Sequence, residues 1–213
     1  VGNEIFYNQQ SFINIEMDGA QTLGNNAFQY CHNLESVSFE RCVSIGYLCF
    51  YQCEKLNSIN FPNLNAIGAR AFAYTGLISV ELNTVTTAYQ TTLSGTSYGN
   101  QFEGCGLLTD VTMRSLSEMP RRMFQNCNQL SYVDCPAVTV INYQTFYGCQ
   151  SLANLTFPSI DSIGNECFYL LDGLVDVNLP SLNYIYNYAF SNCMNLKTFS
   201  AENCVTMEYC SLY

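Results

Sequence analysis

Basic residues, histidine and long apolar runs are all scarce in this chain of 213 residues. Lys and Arg number 7 against 17 Asp and Glu, and the net charge of -10 argues against nucleic acid or an anionic membrane surface as a partner. No apolar run approaches the roughly 18 residues that a membrane span requires, so we predict no membrane insertion by this segment. Val1 opens no basic, apolar leader, and any signal peptide is expected to have been removed or to lie outside this segment.

Motifs that carry chemistry are equally sparse. The one histidine, His32, directly follows a cysteine, and we favour a solvated loop side chain there over Ser-His-Asp or Cys-His catalysis. The sequence has no glycine-rich phosphate loop and no Cys-x-x-Cys pair, and Cys49 with Cys53 is the one close pair. We therefore predict that the chain uses neither a cofactor nor a metal.

Phenylalanine reveals a repeat of 22 residues, and a fixed period outweighs the interpretation of any single window. Two runs keep this step: Phe6, Phe28, Phe50 and Phe72, then Phe102, Phe124, Phe146, Phe168 and Phe190. The gap of 30 residues between the runs indicates eight inserted residues, which we place between about 86 and 97 as a projecting loop or short hairpin. The Phe72 unit is also one residue short, because Thr75-Gly76-Leu77 replaces the usual Cys-x-x-Leu.

Other apolar positions keep the same register. In most units an aliphatic residue followed by glycine lies five residues before the Phe, and an apolar residue, usually Leu, lies six residues after it. An alternating pair such as Val37 and Phe39 follows, and this period of two predicts a short, half-buried strand. We predict that the units stack into one apolar column with a parallel sheet along one side. The IGxxAF segment is expected to form a short helical turn or a second small strand opposite.

The combined pattern, LxxVxFP followed by IGxxAFxxC, resembles the BspA-like leucine-rich repeats of bacterial and protist surface proteins, also called the Treponema pallidum type. The resemblance covers nearly the whole chain, as nine repeats and a partial tenth. It implies an α/β leucine-rich repeat fold: a right-handed solenoid, a horseshoe or arc, with a concave parallel β-sheet, in a single domain over residues 1–213. It also implies a cell-surface or extracellular location and adhesion to host or matrix proteins, with no catalytic residues.

The chain departs from the family pattern in three respects. These are the insertion, the many cysteines, and a glycine position that is occupied in four units by Tyr98, Pro120, Asn142 and Tyr186. The sequence begins and ends inside the periodic pattern, so we expect it to be a segment of a longer protein.

The 12 cysteines follow the repeat frame. Six lie three residues after the Phe: Cys31, Cys53, Cys105, Cys127, Cys149 and Cys193. Most of the others replace small or apolar residues at buried positions, which is a common use of free cysteine. Side chains at equivalent positions of adjacent coils run parallel, which disfavours the dihedral angle of a disulfide. We predict mostly free thiols.

The outward positions of the strands are the first candidate for a binding site. They are small, polar and mildly acidic: Asn14, Glu16, Ser36, Ser38, Ser58, Asn60, Ser79, Glu81, Asp110, Thr112, Tyr132, Asp134, Asn154, Thr156, Asp176, Asn178, Thr198 and Ser200. The distinctive group is Asp110, Arg114, Tyr132 and Asp134, which we predict to be ligand-binding, because Tyr and Arg are the usual anchors of interfaces. The alternative is an ordinary exposed salt bridge.

Tyrosines form a second candidate surface. Tyr7, Tyr51, Tyr147 and Tyr169 directly follow a Phe, while three more alternate near the C-terminal end: Tyr184, Tyr186 and Tyr188. Packing along the coil edge with hydroxyls in water is the interpretation we favour, and a protein-binding or glycan-binding stripe is the alternative.

Three functional hypotheses follow. The favoured one is a non-catalytic module, secreted or at the cell surface, that binds a protein or glycan. The second is a structural spacer within a larger surface protein. The third is a carbohydrate-active β-helix enzyme that uses Asp110, Asp134 and Arg114 as its charged cluster, for which one arginine and one acidic patch are thin evidence.

Overall fold

Two ladders of short parallel strands run through the computed structural model, which describes residues 1–93 and 96–212. Three-residue strands form the front ladder: β1 (Asn14–Glu16), β3 (Ser36–Ser38), β5 (Ser58–Asn60), β7 (Ser79–Glu81), β11 (Asp110–Thr112), β13 (Tyr132–Asp134), β16 (Asp176–Asn178) and β18 (Thr198–Ser200). Two-residue strands form the second ladder: β2 (Thr22–Leu23), β4 (Ser44–Ile45), β6 (Ala66–Ile67), β8 (Thr87–Ala88), β12 (Glu118–Met119), β14 (Val140–Ile141), β15 (Ser162–Ile163), β17 (Tyr184–Ile185) and β19 (Thr206–Met207).

Strand register follows the repeat. Ile15 pairs with Val37, and Val37 pairs with Ile59, so each rung of the front ladder lies one 22-residue repeat after the last. In the second ladder Ala66 pairs with Thr87, a step of 21 residues, which confirms that the Phe72 unit is one residue short. The middle residue of each front strand is buried or half-buried, and its polar neighbours are more exposed in every front strand but β18, where Ser200 is as half-buried as Phe199.

The turn that carries each phenylalanine is not helical. The described residues contain no helix, so the helical alternative for the IGxxAF segment, and with it the α/β class, is wrong. The residue two positions before each Phe has a φ of 53 to 58°, which interrupts a right-handed helix. Each Phe N–H donates to a carbonyl of the next coil at 2.7 to 2.9 Å, instead of to a residue four positions earlier. The other alternative, a second small strand, is confirmed by the second ladder.

The nine phenylalanines form one column, as the period predicted. Eight successive ring pairs join Phe6 to Phe190, with centroids 5.0 to 5.5 Å apart and ring planes within 3 to 19° of parallel. Every ring after Phe6 is at most 1% exposed, and one hydrophobic cluster runs from Ile15 to Phe190. The molecule is therefore a parallel-strand β-solenoid with a continuous apolar interior.

Cysteine thiols form a second column beside the rings. The described cysteines are free, in agreement with the sequence prediction. Each of the six at the repeated position donates its Sγ–H to the carbonyl of the phenylalanine 25 or 33 residues earlier, at 3.0 to 3.1 Å. A buried carbonyl needs its hydrogen bonds satisfied, and a thiol is a compact donor. Cysteine recurs here because it is both small and able to donate.

The insertion forms a β-hairpin at the side of the solenoid. Strands β9 (Thr91–Leu93) and β10 (Thr96–Tyr98) pair antiparallel, which matches the predicted projecting loop or hairpin, while Ser94 and Gly95 lie outside the described residues. Residues 87 and 88, at the start of the predicted insertion, belong to the regular second ladder. Gln101, which follows the hairpin, is fully buried, and its Nε2 donates to the carbonyl of Tyr89, which precedes the hairpin, at 2.7 Å. This hydrogen bond joins the two ends of the insertion.

Candidate binding face

The four residues predicted to bind a ligand lie on adjacent coils, but only two of their side chains meet. The Arg114 Nε is 2.9 Å from the Asp134 Oδ2, and the two side chains are 64% and 26% exposed. Asp110 pairs in register with Tyr132, but its Oδ2 accepts a hydrogen bond from Thr109 Oγ1 at 2.5 Å. An exposed ion pair stabilises a fold by about 1 kcal/mol at most, so the fold does not depend on this pair.

In the first three rungs of the front ladder, four of the six outward side chains hydrogen-bond to each other in pairs. The Ser36 hydroxyl donates to Asn14 Oδ1 at 2.6 Å. Asn60 Nδ2 donates to Ser38 Oγ and to Glu40 Oε1, each at 2.9 Å. Polar groups in this N-terminal part of the face are therefore largely occupied by each other.

The front ladder is interrupted in two places. The first interruption lies between β5 and β7, where the Phe72 unit is one residue short. The second lies between β13 and β16, where residues 154–156 belong to a full-length repeat and yet form no strand. Asn154 keeps a single bridge to Asp176, and no backbone hydrogen bond of the described chain joins residues 153–157 to residues 131–135.

A groove of about 570 Å³ lies along this second interruption. Its polar lining comes chiefly from six side chains on four successive coils: Tyr132, Asn154, Thr156, Asp176, Asn178 and Thr198. Val133, Leu155 and Val177 contribute apolar lining and are at most 8% exposed. The volume is in the range of small-ligand sites.

Most polar side chains of the groove have no hydrogen-bond partner within the described chain. Thr198 donates to Asp176 Oδ1 at 2.5 Å. No side-chain hydrogen bond of the described residues involves Tyr132, Asn154, Thr156 or Asn178, and the Tyr132 side chain is 53% exposed. These groups are free to meet a ligand.

Sequence reasoning selected Tyr132 but not the rest of the groove. Asn154, Asp176 and Thr198 were recognised only as ordinary outward positions. They stand at regular repeat positions and carry common side chains, so no sequence signal distinguishes them. The interruption of the ladder, which sets them apart, is visible only in three dimensions.

The tyrosines pack mainly against each other. Tyr7, Tyr30, Tyr51 and Tyr74 form a row of edge-to-face contacts with centroids 5.6 to 5.9 Å apart, and Tyr147 stacks on Tyr169 at 5.4 Å. Burial raises the pKa of the Tyr51 and Tyr74 phenols, which keeps them protonated. The row therefore packs along the edge of the coils, as we expected, with Tyr7 and Tyr74 still 44% and 38% exposed.

The remaining candidate groups are isolated. The His32 Nδ1 lies 3.7 Å from the Glu54 carboxylate, with the two side chains 40% and 66% exposed. Within residues 1–93 and 96–212, no group of three or more His, Cys, Asp or Glu side chains could hold a metal ion. The same residues include no helix long and apolar enough to cross a membrane.

Comparison with known proteins places this solenoid in a family. The model of the BspA type leucine rich repeat region, with 6 copies, matches residues 1–98 and 96–211, and the chain belongs to that family. A leucine-rich repeat protein from Bacteroides ovatus is 24% identical, with a TM-score of 0.69 over 93% of this chain and 57% of that one. The T. pallidum leucine rich repeat protein is also 24% identical, with a TM-score of 0.61 over 71% of this chain and 70% of that one.

These likenesses establish the fold. The chain spans 57% of the length of the Bacteroides ovatus protein. No curated protein sequence matches it.

Proposed function

We propose that this chain is a non-catalytic binding module that meets a protein or glycan through the front ladder. The observation that carries the proposal is the groove from Tyr132 to Thr198, in which the exposed Tyr132 ring and three polar side chains, Asn154, Thr156 and Asn178, make no hydrogen bond within the described residues. Thr198 and Asp176 hydrogen-bond to each other, as Ser36 and Asn14 do in the N-terminal rungs. The side chains of Tyr132, Asn154, Thr156 and Asn178 have no such bond within the described residues and are the groups offered to a partner.

The ion pair between Arg114 and Asp134 lies next to this groove, because Asp134 is on the same strand, β13, as the groove residue Tyr132. Tyr and Arg supply much of the energy of many interfaces, because they bury a large area and retain directed donors. We therefore assign Asp110, Arg114, Tyr132 and Asp134 to the rim of the binding face. A net charge of -10 disfavours nucleic acid as the partner.

Residues 1–213 are proposed to act as a single solenoid domain of a larger secreted or cell-surface protein that serves in adhesion. Membership in the BspA-type family supports this proposal. The continuous apolar cluster from Ile15 to Phe190 supports the single domain, because coils that share one interior move together.

The test is binding of the purified chain to arrays of immobilised matrix proteins and glycans. The combined variant Arg114→Ala with Tyr132→Ala is expected to lose most of the binding. The matched control is Arg41→Ala with Tyr186→Ala, which removes one exposed arginine and one exposed tyrosine that do not line the groove. No binding in either class of array would overturn the proposal and favour a structural spacer, and wild-type binding by the first variant would show that the partner does not bind at Arg114 and Tyr132.

A further inference from the structure

We propose that the groove binds a neutral glycan chain lying along the solenoid axis. This inference rests on the proposed function and specifies the chemical class of the ligand. It starts from the composition of the groove, in which the exposed ring of Tyr132 lies beside the side chains of Asn154, Thr156 and Asn178, which have no hydrogen-bond partner within the described residues.

Charge excludes an anionic ligand from this groove. Among its lining residues the one charged side chain is Asp176, and neither lysine nor arginine lines it. A sulfated or phosphorylated chain would meet a carboxylate with no cation to compensate, which is unfavourable at short range. The neighbouring Arg114 is already paired with Asp134.

The apolar part of the lining argues against a peptide with hydrophobic anchors. Val133, Leu155 and Val177 are 8%, 8% and 2% exposed, so they offer little surface to an inserted Leu or Phe side chain. Peptide interfaces depend on such anchors buried in fitting pockets. The groove instead offers groups that recognise hydroxyls.

An asparagine side chain can both donate a hydrogen bond to a sugar hydroxyl and accept one from it. The side-chain amides of Asn154 and Asn178 each carry two donor hydrogens and an acceptor oxygen, and Thr156 adds a hydroxyl that both donates and accepts. Asp176 contributes carboxylate oxygens as strong acceptors. The half-exposed ring of Tyr132 offers an apolar face to the C–H side of a pyranose, with its own hydroxyl in water.

The repeat gives the groove a direction. Tyr132, Asn154, Asp176 and Thr198 occupy the same slot of successive coils, and parallel coils recur at a spacing of about 4.8 Å. Thr156, Asn178 and Ser200 form a second parallel row two residues further along each coil. A linear polymer of similar units therefore meets similar pairs of polar groups at each step.

The experiment compares three sets of probes on the purified chain by calorimetry or glycan array. These are neutral oligosaccharides of glucose, mannose and galactose, heparin oligosaccharides, and immobilised matrix proteins. Binding of at least one neutral oligosaccharide is expected, with the affinity reduced by about tenfold or more in Tyr132→Ala and in the double variant Asn154→Ala with Asn178→Ala.

The control is Asn14→Ala with Ser58→Ala, which removes two outward side chains from the first position of N-terminal front strands and should leave glycan affinity unchanged. Thermal unfolding of each variant verifies the fold. Binding of matrix proteins alone, or of heparin alone, overturns the glycan assignment and leaves the binding module standing. If none of the three probe sets binds, both the glycan assignment and the proposed binding module are overturned.

Discussion

The N-terminal and C-terminal parts of the front ladder share one core and differ in their faces. In both parts the rings stack at 5.0 to 5.5 Å, and each cysteine thiol donates to the carbonyl of the equivalent phenylalanine of the preceding coil. Outward side chains pair across rungs in both parts, as Ser36 does with Asn14 and Thr198 with Asp176, but the coil at Asn154 has no strand and its side chain has no hydrogen-bond partner within the described residues. The core thus leaves the surface chemistry free to vary from coil to coil.

The turns of the second ladder also differ between the two parts. A Cβ at Gly24, Gly46 or Gly68 would lie 2.3 to 2.7 Å from atoms of the preceding coil, so a side chain cannot fit there. At Gly164 the nearest atom would be 3.1 Å away, and related positions in the C-terminal part hold Pro120, Asn142 and Tyr186. Coils approach more closely at this turn in the N-terminal part.

The largest expected effect is the loss of stability when a buried phenylalanine is truncated, and it tests whether the N-terminal and C-terminal parts have equivalent cores. Phe50→Ala and Phe146→Ala should each lower the free energy of unfolding by about 3 to 5 kcal/mol, because each empties a fully buried ring position between two stacked neighbours. Urea unfolding followed by circular dichroism measures both. A difference of more than about 2 kcal/mol between them would mean that the two parts have unequal interiors.

The glycine turns give the next largest difference. Gly68→Ala should destabilise the fold by about 3 kcal/mol, since the new Cβ would lie 2.3 Å from the Gly46 carbonyl carbon. Gly164→Ala should cost about 1 kcal/mol. Gly19→Ala is the control, because nothing lies within 4 Å of its added Cβ. Equal losses at Gly68 and Gly164 would remove this distinction between the two parts.

The thiol column is expected to behave alike in both parts. Cys53→Ala and Cys149→Ala remove the donors to the Phe28 and Phe124 carbonyls, and each should cost about 2 kcal/mol. Cys→Ser at the same positions keeps a donor and should cost less than Cys→Ala, as measured by chemical unfolding. If serine proves worse than alanine at both sites, the thiols act as buried apolar groups and not as hydrogen-bond donors.

Alkaline pH probes the same column. Burial raises the pKa of Cys105 to about 11 and of Cys167 to about 12, against about 8.5 for an exposed thiol. Their stabilising effect is complete below pH 8.5 and is lost as the pH rises towards 11 to 12, because the unfolded chain gives up these protons first. In Cys105→Ser the free energy of unfolding should fall less steeply with pH than in the wild type, by about 1.4 kcal/mol per pH unit across this window. An unchanged slope would mean that Cys105 is not buried in solution.

The smallest effects concern the faces themselves. Asn60→Ala should cost up to about 1 kcal/mol, since Asn60 bonds to Ser38 and Glu40. Asn154→Ala should change stability by less than about 0.5 kcal/mol, because its side chain has no partner in the described chain. Melting temperatures compare the two. A larger loss at Asn154 would show that the groove residue has a structural role.

Much of the fold was readable from residue spacing. The Phe column, the 22-residue register, the shortened unit, the hairpin and the free thiols were all predicted, because each depends on a side chain that recurs at a constant position. The helical turn was predicted wrongly as one of two alternatives. A six-residue segment such as IGARAF does not reveal that its backbone bonds to the next coil and that Arg70 adopts a positive φ.

The candidate site was predicted only in part. Tyr132 and the pair of Arg114 with Asp134 stood out by residue type, and the structure brings that pair together. The groove and its free amides did not stand out, because residues 150–160 look like any other repeat.

The repeating sequence by itself determined which side chains face inward, since an apolar position repeated every 22 residues has only its own copies to pack against. The tertiary structure alone decided where neighbouring coils bond to each other and where they separate. Hydrogen bonds between coils depend on the relative placement of two backbones, and no residue type in either coil specifies that placement.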